Sequence, residues 1–145
     1  MSDQTKETDK RLFYKINISQ RLLLKHVDRE STNRLGVPLI QVTALLYLIK
    51  NDGCQLNDLS AVLMQNKSAI TTLVGRLEKN DLIVRKKSEA DGRASNLFLT
   101  DKGHKVGIQA LPMMKEFNLE LLNKFSDSEI EIIHRFVDTI IENYR

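Results

Sequence analysis

Ser68, Thr71, Thr72 and Gly75 stand at i, i+3, i+4 and i+7, so a helix over this stretch gathers them on one face. That face is short, polar and flat. Small hydroxyls approach base edges or phosphates closely, and threonine methyls match the thymine methyl of the major groove. Lys67 precedes them in the first turn, where unpaired backbone amides also favour a phosphate. Further along, Arg85, Lys86, Lys87 and Arg93 frame a polar stretch with positive charge. An arginine at a hairpin tip suits the narrow minor groove, where the negative potential of DNA is strongest. Taken singly, the hydroxyls describe an ordinary solvated helix face and the lysines a solvated strand end. The two sets are adjacent in the chain and able to straddle one backbone strand, which favours nucleic acid.

Other chemistries find less support. The single cysteine, Cys54, has no partner for an internal disulfide and builds no thiolate zinc site alone. A redox sensor needs a lowered thiol pKa, supplied by a nearby cation or helix start. No cation flanks Cys54, so a small buried hydrophobe or strand residue is the simpler expectation. His26, His104 and His134 are far apart and lack the i, i+4 spacing that offers two imidazoles to one metal. No metal or cofactor is expected. No local nucleophile–base pair or carboxylate pair is evident, so no enzyme is expected either. Tyr14, Tyr47 and Phe117 suit core packing, dimer packing or the wall of an effector pocket.

The elements that must position these residues follow from periodicity. Phe13, Ile16, Leu23, Leu24 and Val27 recur at helical spacing between Lys10 and Asn33. Gly36 and Pro38 form a stop and a start. Val42, Leu45, Leu46 and Ile49 mark a second helix, ended by the turn Asn51-Asp52-Gly53. A third, short helix follows with Asn57 as its expected N-cap and Leu59, Val62 and Leu63 as its inner side. Asn66 is the expected cap of a fourth helix, whose stripe is Ile70, Leu73, Val74 and Leu77. The period then changes: Leu82 and Val84 alternate with Ile83 and Arg85, and 96–99 resume an apolar run past Asp91-Gly92. Two short extended runs around an Asp-Gly turn predict a β-hairpin. Thr100 caps a fifth helix, with a kink or interruption expected at Pro112. After Ser126, Ile130, Ile133, Val137, Ile140 and Tyr144 form a coiled-coil-like seam.

At 145 residues a single domain is expected, long enough to bury a core. With 41% hydrophobic and 28% charged residues, the balance is that of a globular chain. No apolar run approaches the ~20 residues that span a membrane. Residues 1–9 are polar, carry both charge signs and lack a secretory apolar stretch, so a frayed or disordered start and a cytoplasmic location are expected. The net charge of +3 is weak evidence alone, but its distribution separates a basic middle from an acidic C-terminal stretch.

Residues 59–63 and 66–83 together resemble the recognition unit of the MarR family of transcriptional regulators. Asp91-Gly92-Arg93, followed by Leu97-Phe98-Leu99-Thr100-Asp101-Lys102-Gly103, is similar to that family's D-x-R and L-T-x-x-G signature. The order of the helices fits as well. The resemblance implies a mainly α fold with a small β-hairpin wing, a winged helix-turn-helix in a six-helix MarR-like dimer. Residues 10–35 and 101–145 would form a helical dimerisation region and 36–100 the DNA-binding lobe. Ser68, Thr71 and Thr72 would face the major groove. Arg93 would reach the minor groove with Asp91 holding it, Arg76 would brace the wing through Asp91, and Lys67, Lys86 and Lys87 would meet phosphates. The partners implied are double-stranded DNA, a second copy of the chain and a small-molecule effector. The implied function is a ligand-responsive repressor acting as a bacterial homodimer on a palindromic operator. The alternative is a winged-helix protein-interaction module without DNA binding, against which the polar face of the fourth helix argues. Three positions depart from the family pattern: Thr72 stands where many members carry arginine, Met64 where glycine is frequent, and Pro38 where Ser or Thr commonly caps the second helix.

Overall fold

The computed structural model describes residues 3–90 and 92–145. Among the described residues there are six helices and three strands: α1 Asp3–Leu35, α2 Leu39–Lys50, β1 Cys54–Gln55, α3 Leu56–Leu63, α4 Lys67–Lys79, β2 Ile83–Lys87, β3 Ser95–Leu99, α5 Asp101–Leu122 and α6 Asp127–Tyr144. The first helix begins at Asp3 rather than Lys10, because the polar leading segment contains no glycine or proline to stop it. The hairpin forms with Ile83 opposite Leu99 and Lys87 opposite Ser95. β1 adds a third antiparallel strand, pairing Cys54 with Leu97, so β3 is central.

The chain divides into two compact units, 1–110 and 111–145. The first is built around Val42, Leu45, Leu48, Leu59, Ile70, Val74, Leu77 and Leu97, all essentially without solvent contact. On α2 the buried line runs through Leu48, while Leu46 and Ile49 are only half-buried. Leu82 and Ile83 are both buried and Val84 is 42% exposed, so the expected alternation starts one residue late. The reason is local. Leu82 precedes the strand and is held in a turn, its amide donating to Leu77 O (2.9 Å) and its carbonyl accepting from Thr100 (3.1 Å).

The caps explain how the helices start. Pro38 offers α2 no side-chain bond. The Asp28 carboxylate on α1 takes that role, accepting the Leu39 amide at 2.8 Å. Nearby, the buried Ser31 hydroxyl donates to Val37 O at 2.6 Å. α3 starts at Leu56, not after Asn57, because the Gln55 amide donates to Asp58 Oδ2 (2.9 Å) and closes the first turn. Thr100 Oγ1 accepts the Gly103 amide at 3.0 Å and opens α5. Gly103 is required there: a Cβ would lie 1.9 Å from Leu82 O. Pro112 lies inside α5 without interrupting it.

In the second unit, Ser126 caps α6, with the Glu129 amide donating to its hydroxyl and Glu129 answering with its carboxylate. The Ser126 amide and hydroxyl hold the Glu129 carboxyl below the usual glutamate range. α6 buries none of its residues. Ile132, Phe136, Val137, Ile141 and Tyr144 are all exposed, and the expected seam positions Ile130, Ile133 and Ile140 are half-buried.

Candidate nucleic-acid interface

α4 is set by its first residues. Asn66 Oδ1 accepts the Ala69 amide at 2.8 Å, and Ile70, Leu73, Val74 and Leu77 then turn into the core. That leaves Lys67, Ser68, Thr71, Thr72, Gly75 and Arg76 exposed. Thr71 Oγ1 donates to Lys67 O (2.9 Å) and Thr72 Oγ1 to Ser68 O (3.1 Å). A carbonyl only accepts, so both hydroxyl protons are used within the helix.

The turn into α4 is tight. The Gln65 amide donates to Ser60 O at 3.1 Å, while the Ser60 hydroxyl donates to Gln65 O at 2.6 Å. Met64 between them adopts φ 51°, ψ 42°, the left-handed region that favours glycine. The glycine-like demand of this position is therefore real, although methionine fills it.

The starts of α3 and α4 and the middle and tip side of the hairpin line a groove of about 360 Å³, with Gln55, Asn57, Lys67, Arg85, Arg93 and Ser95 among its walls. Lys67 and Arg93 are thus brought together, and Arg85 joins them. Arg85 is tied to the end of α4: its Nε donates to Glu78 Oε1 at 2.7 Å, with Nη2 at 2.6 Å from the same oxygen. An exposed pair of this kind contributes less than about 1 kcal/mol. Its use is geometric, since it joins helix to wing. Spacing alone does not reveal this brace, because the two residues belong to elements of different period on either side of a turn.

Lys86 and Lys87 are exposed on β2 but point to opposite faces, as neighbours on a strand must. The Lys86 ammonium lies 4.9 Å from the Phe98 ring centroid, a cation–π contact. Arg93 is exposed in the connection between β2 and β3. Asp91 lies outside the described residues, and with it the expected contacts to Arg93 and Arg76.

Cys54 sits half-buried in β1, and its thiol is pushed up to about 11 by burial and by the carboxylates of Asp58 and Asp52. It is therefore protonated at neutral pH, the opposite of what a reactive thiol needs. Among the described residues no group of three or more His, Cys, Asp or Glu could hold a metal ion. No single helix among them is long and apolar enough to cross a membrane.

Two helices joined by a tight turn, the second with its polar side outward, backed by a three-stranded wing, define a winged helix-turn-helix. Residues 35–94 match the family model described as MarR family, so the lobe is similar to the DNA-binding region of that family. The chain is 26% identical over 113 residues to YsmB of Bacillus subtilis, named an uncharacterized HTH-type transcriptional regulator, covering 78% of this chain and 77% of that one. It is 33% identical over 85 residues to the HTH-type transcriptional regulator BilQ of Clostridioides difficile, covering 59% and 57%. In fold it is similar to MepR of S. aureus, solved as a DNA complex, with a TM-score of 0.84 and 22% identity over 91% of this chain and 96% of that one. These relatives are transcriptional regulators rather than enzymes.

Proposed function

We propose that this chain is a sequence-specific double-stranded DNA-binding repressor that acts in the cytoplasm as a homodimer on a palindromic operator. The observation that carries this is the outward polar face of α4 beside a groove lined by Lys67, Arg85 and Arg93. α4 enters the major groove with Ser68, Thr71 and Thr72 toward the bases, and Arg93 reaches the neighbouring minor groove. Lys67, Lys86 and Lys87 add phosphate contacts. The exposed apolar side chains of α1 and α6 support assembly of two copies through 10–35 and 101–145. The two-fold axis then sets the recognition helices about 34 Å apart. A small-molecule effector regulates such a dimer by favouring one separation of its lobes.

The test is selection of bound duplexes from a random pool, followed by titration of the recovered site. The expected product is a palindrome, with affinity falling steeply as salt rises. Arg93→Ala should weaken operator binding about tenfold, the worth of one good groove contact, with helicity and oligomeric state unchanged. Wild-type affinity in that variant removes the wing from the reading. Failure to shift any duplex, at low salt, leaves a protein-interaction module instead.

A further inference from the structure

We infer that Thr72 and Gly75 are specificity-determining residues that make α4 select thymine methyls and exocyclic amino groups rather than guanine edges. This rests on the DNA-binding reading above and names the class of base that it would select.

Three observations converge. First, the Thr71 and Thr72 protons are spent on Lys67 O and Ser68 O. What these side chains offer outward is hydroxyl lone pairs and a methyl group. Guanine presents only the acceptors N7 and O6 in the major groove, so these hydroxyls would have to give up their helix bonds to donate to it. The N6 amino group of adenine donates to a lone pair, and the thymine methyl packs against a methyl.

Second, Gly75 has no reason within the fold. It lies mid-helix, it is exposed, and a Cβ built on it meets nothing within 4 Å. Its φ is not among the positive ones, so conformation does not ask for glycine either. Glycine in such a place weakens the helix relative to alanine. What the missing Cβ offers is closeness to a surface outside the chain, one turn beyond Thr71 and Thr72.

Third, charge is placed at the ends of α4 and not in its middle. Lys67 at the start lines the cationic groove with Arg85 and Arg93, and Arg76 and Lys79 occupy the last turn. Phosphates are held at the ends, leaving the neutral middle to the bases.

The experiment uses the full-length protein and a duplex recovered from a random pool. Each thymine is replaced in turn by deoxyuridine, which deletes only the methyl group, and binding is read by fluorescence anisotropy. One thymine position per half-site should weaken wild-type binding about fourfold, the worth of one buried methyl. Gly75→Ala should melt about 3 °C higher yet bind the methylated site about tenfold more weakly. It should lose most of the distinction between thymine and uracil, while its binding to unrelated duplex stays unchanged. Half-sites whose contacted bases are guanines, a wild type indifferent to every methyl deletion, a Gly75→Ala protein with unchanged affinity, or one that melts lower each overturn the inference. In those cases selective DNA binding itself still stands. Absence of any duplex binding overturns both readings.

Discussion

The lobe at 36–100 and the helix α6 treat their apolar residues in opposite ways. In the lobe, Leu45, Leu48, Leu59, Leu77 and Leu97 are fully buried, and what faces out on α4 is hydroxyl, glycine and cation. α6 is as amphipathic by sequence, yet it buries nothing: Ile132 is 56% exposed and Phe136 42%. Much of α1 behaves similarly, with Phe13 81% and Leu22 61% exposed. Single exposed apolar residues are ordinary, but a helix face of them signals a surface that another one covers. The lobe meets its own packing requirement, and the terminal helices do not.

Three substitutions sharpen or break that contrast. Phe136→Glu has the largest expected effect. If α6 forms the interface of the proposed dimer, a carboxylate there should leave a monomer at micromolar concentration in sedimentation, with palindrome affinity falling at least about a hundredfold as the second half-site is lost. A dimer that survives would move the interface away from α6. Leu59→Ala comes next. It should destabilise the lobe by about 3 kcal/mol in urea titration, the usual cost of a buried Leu-to-Ala cavity. Sedimentation under native conditions should be unaltered. The smallest effect is a gain. Met64→Gly should stabilise by about 1 kcal/mol, because the left-handed backbone costs methionine and not glycine, and the side chain is 78% exposed. A loss on the same titration would mean that Met64 packs against something beyond the single chain.

Much of the lobe is legible in the residues. The stripe from Ile70 to Leu77, the Asn66 cap and the Thr100 cap are contacts between residues three or four apart, within reach of spacing arguments. What escapes spacing depends on groups brought together by the fold. Asn57 looks like a cap, but the bond that starts α3 runs from the Gln55 amide to Asp58. Leu82 looks like the first strand residue, but Thr100 and Leu77 hold it in a turn. For the candidate interface, the outward face of α4 follows from the burial of the opposite one. That Thr71 and Thr72 have already spent their protons, that nothing surrounds Gly75, and that Glu78 holds Arg85 all require coordinates.

The carboxylate that begins α2 comes from α1, where Asp28 accepts the Leu39 amide. A helix start stabilised from its own sequence is indifferent to its neighbours. This one is not: sliding α1 by even one bond length withdraws the anion and leaves the amide end of α2 bare, while Ser31 on the same helix loses its hold on Val37. The long first helix is thereby tied to the first helix of the lobe and to the residue just before it through two short bonds, one of them charged. Removing that single carboxylate would leave the Ser31 bond to Val37 as the one remaining tie of the two.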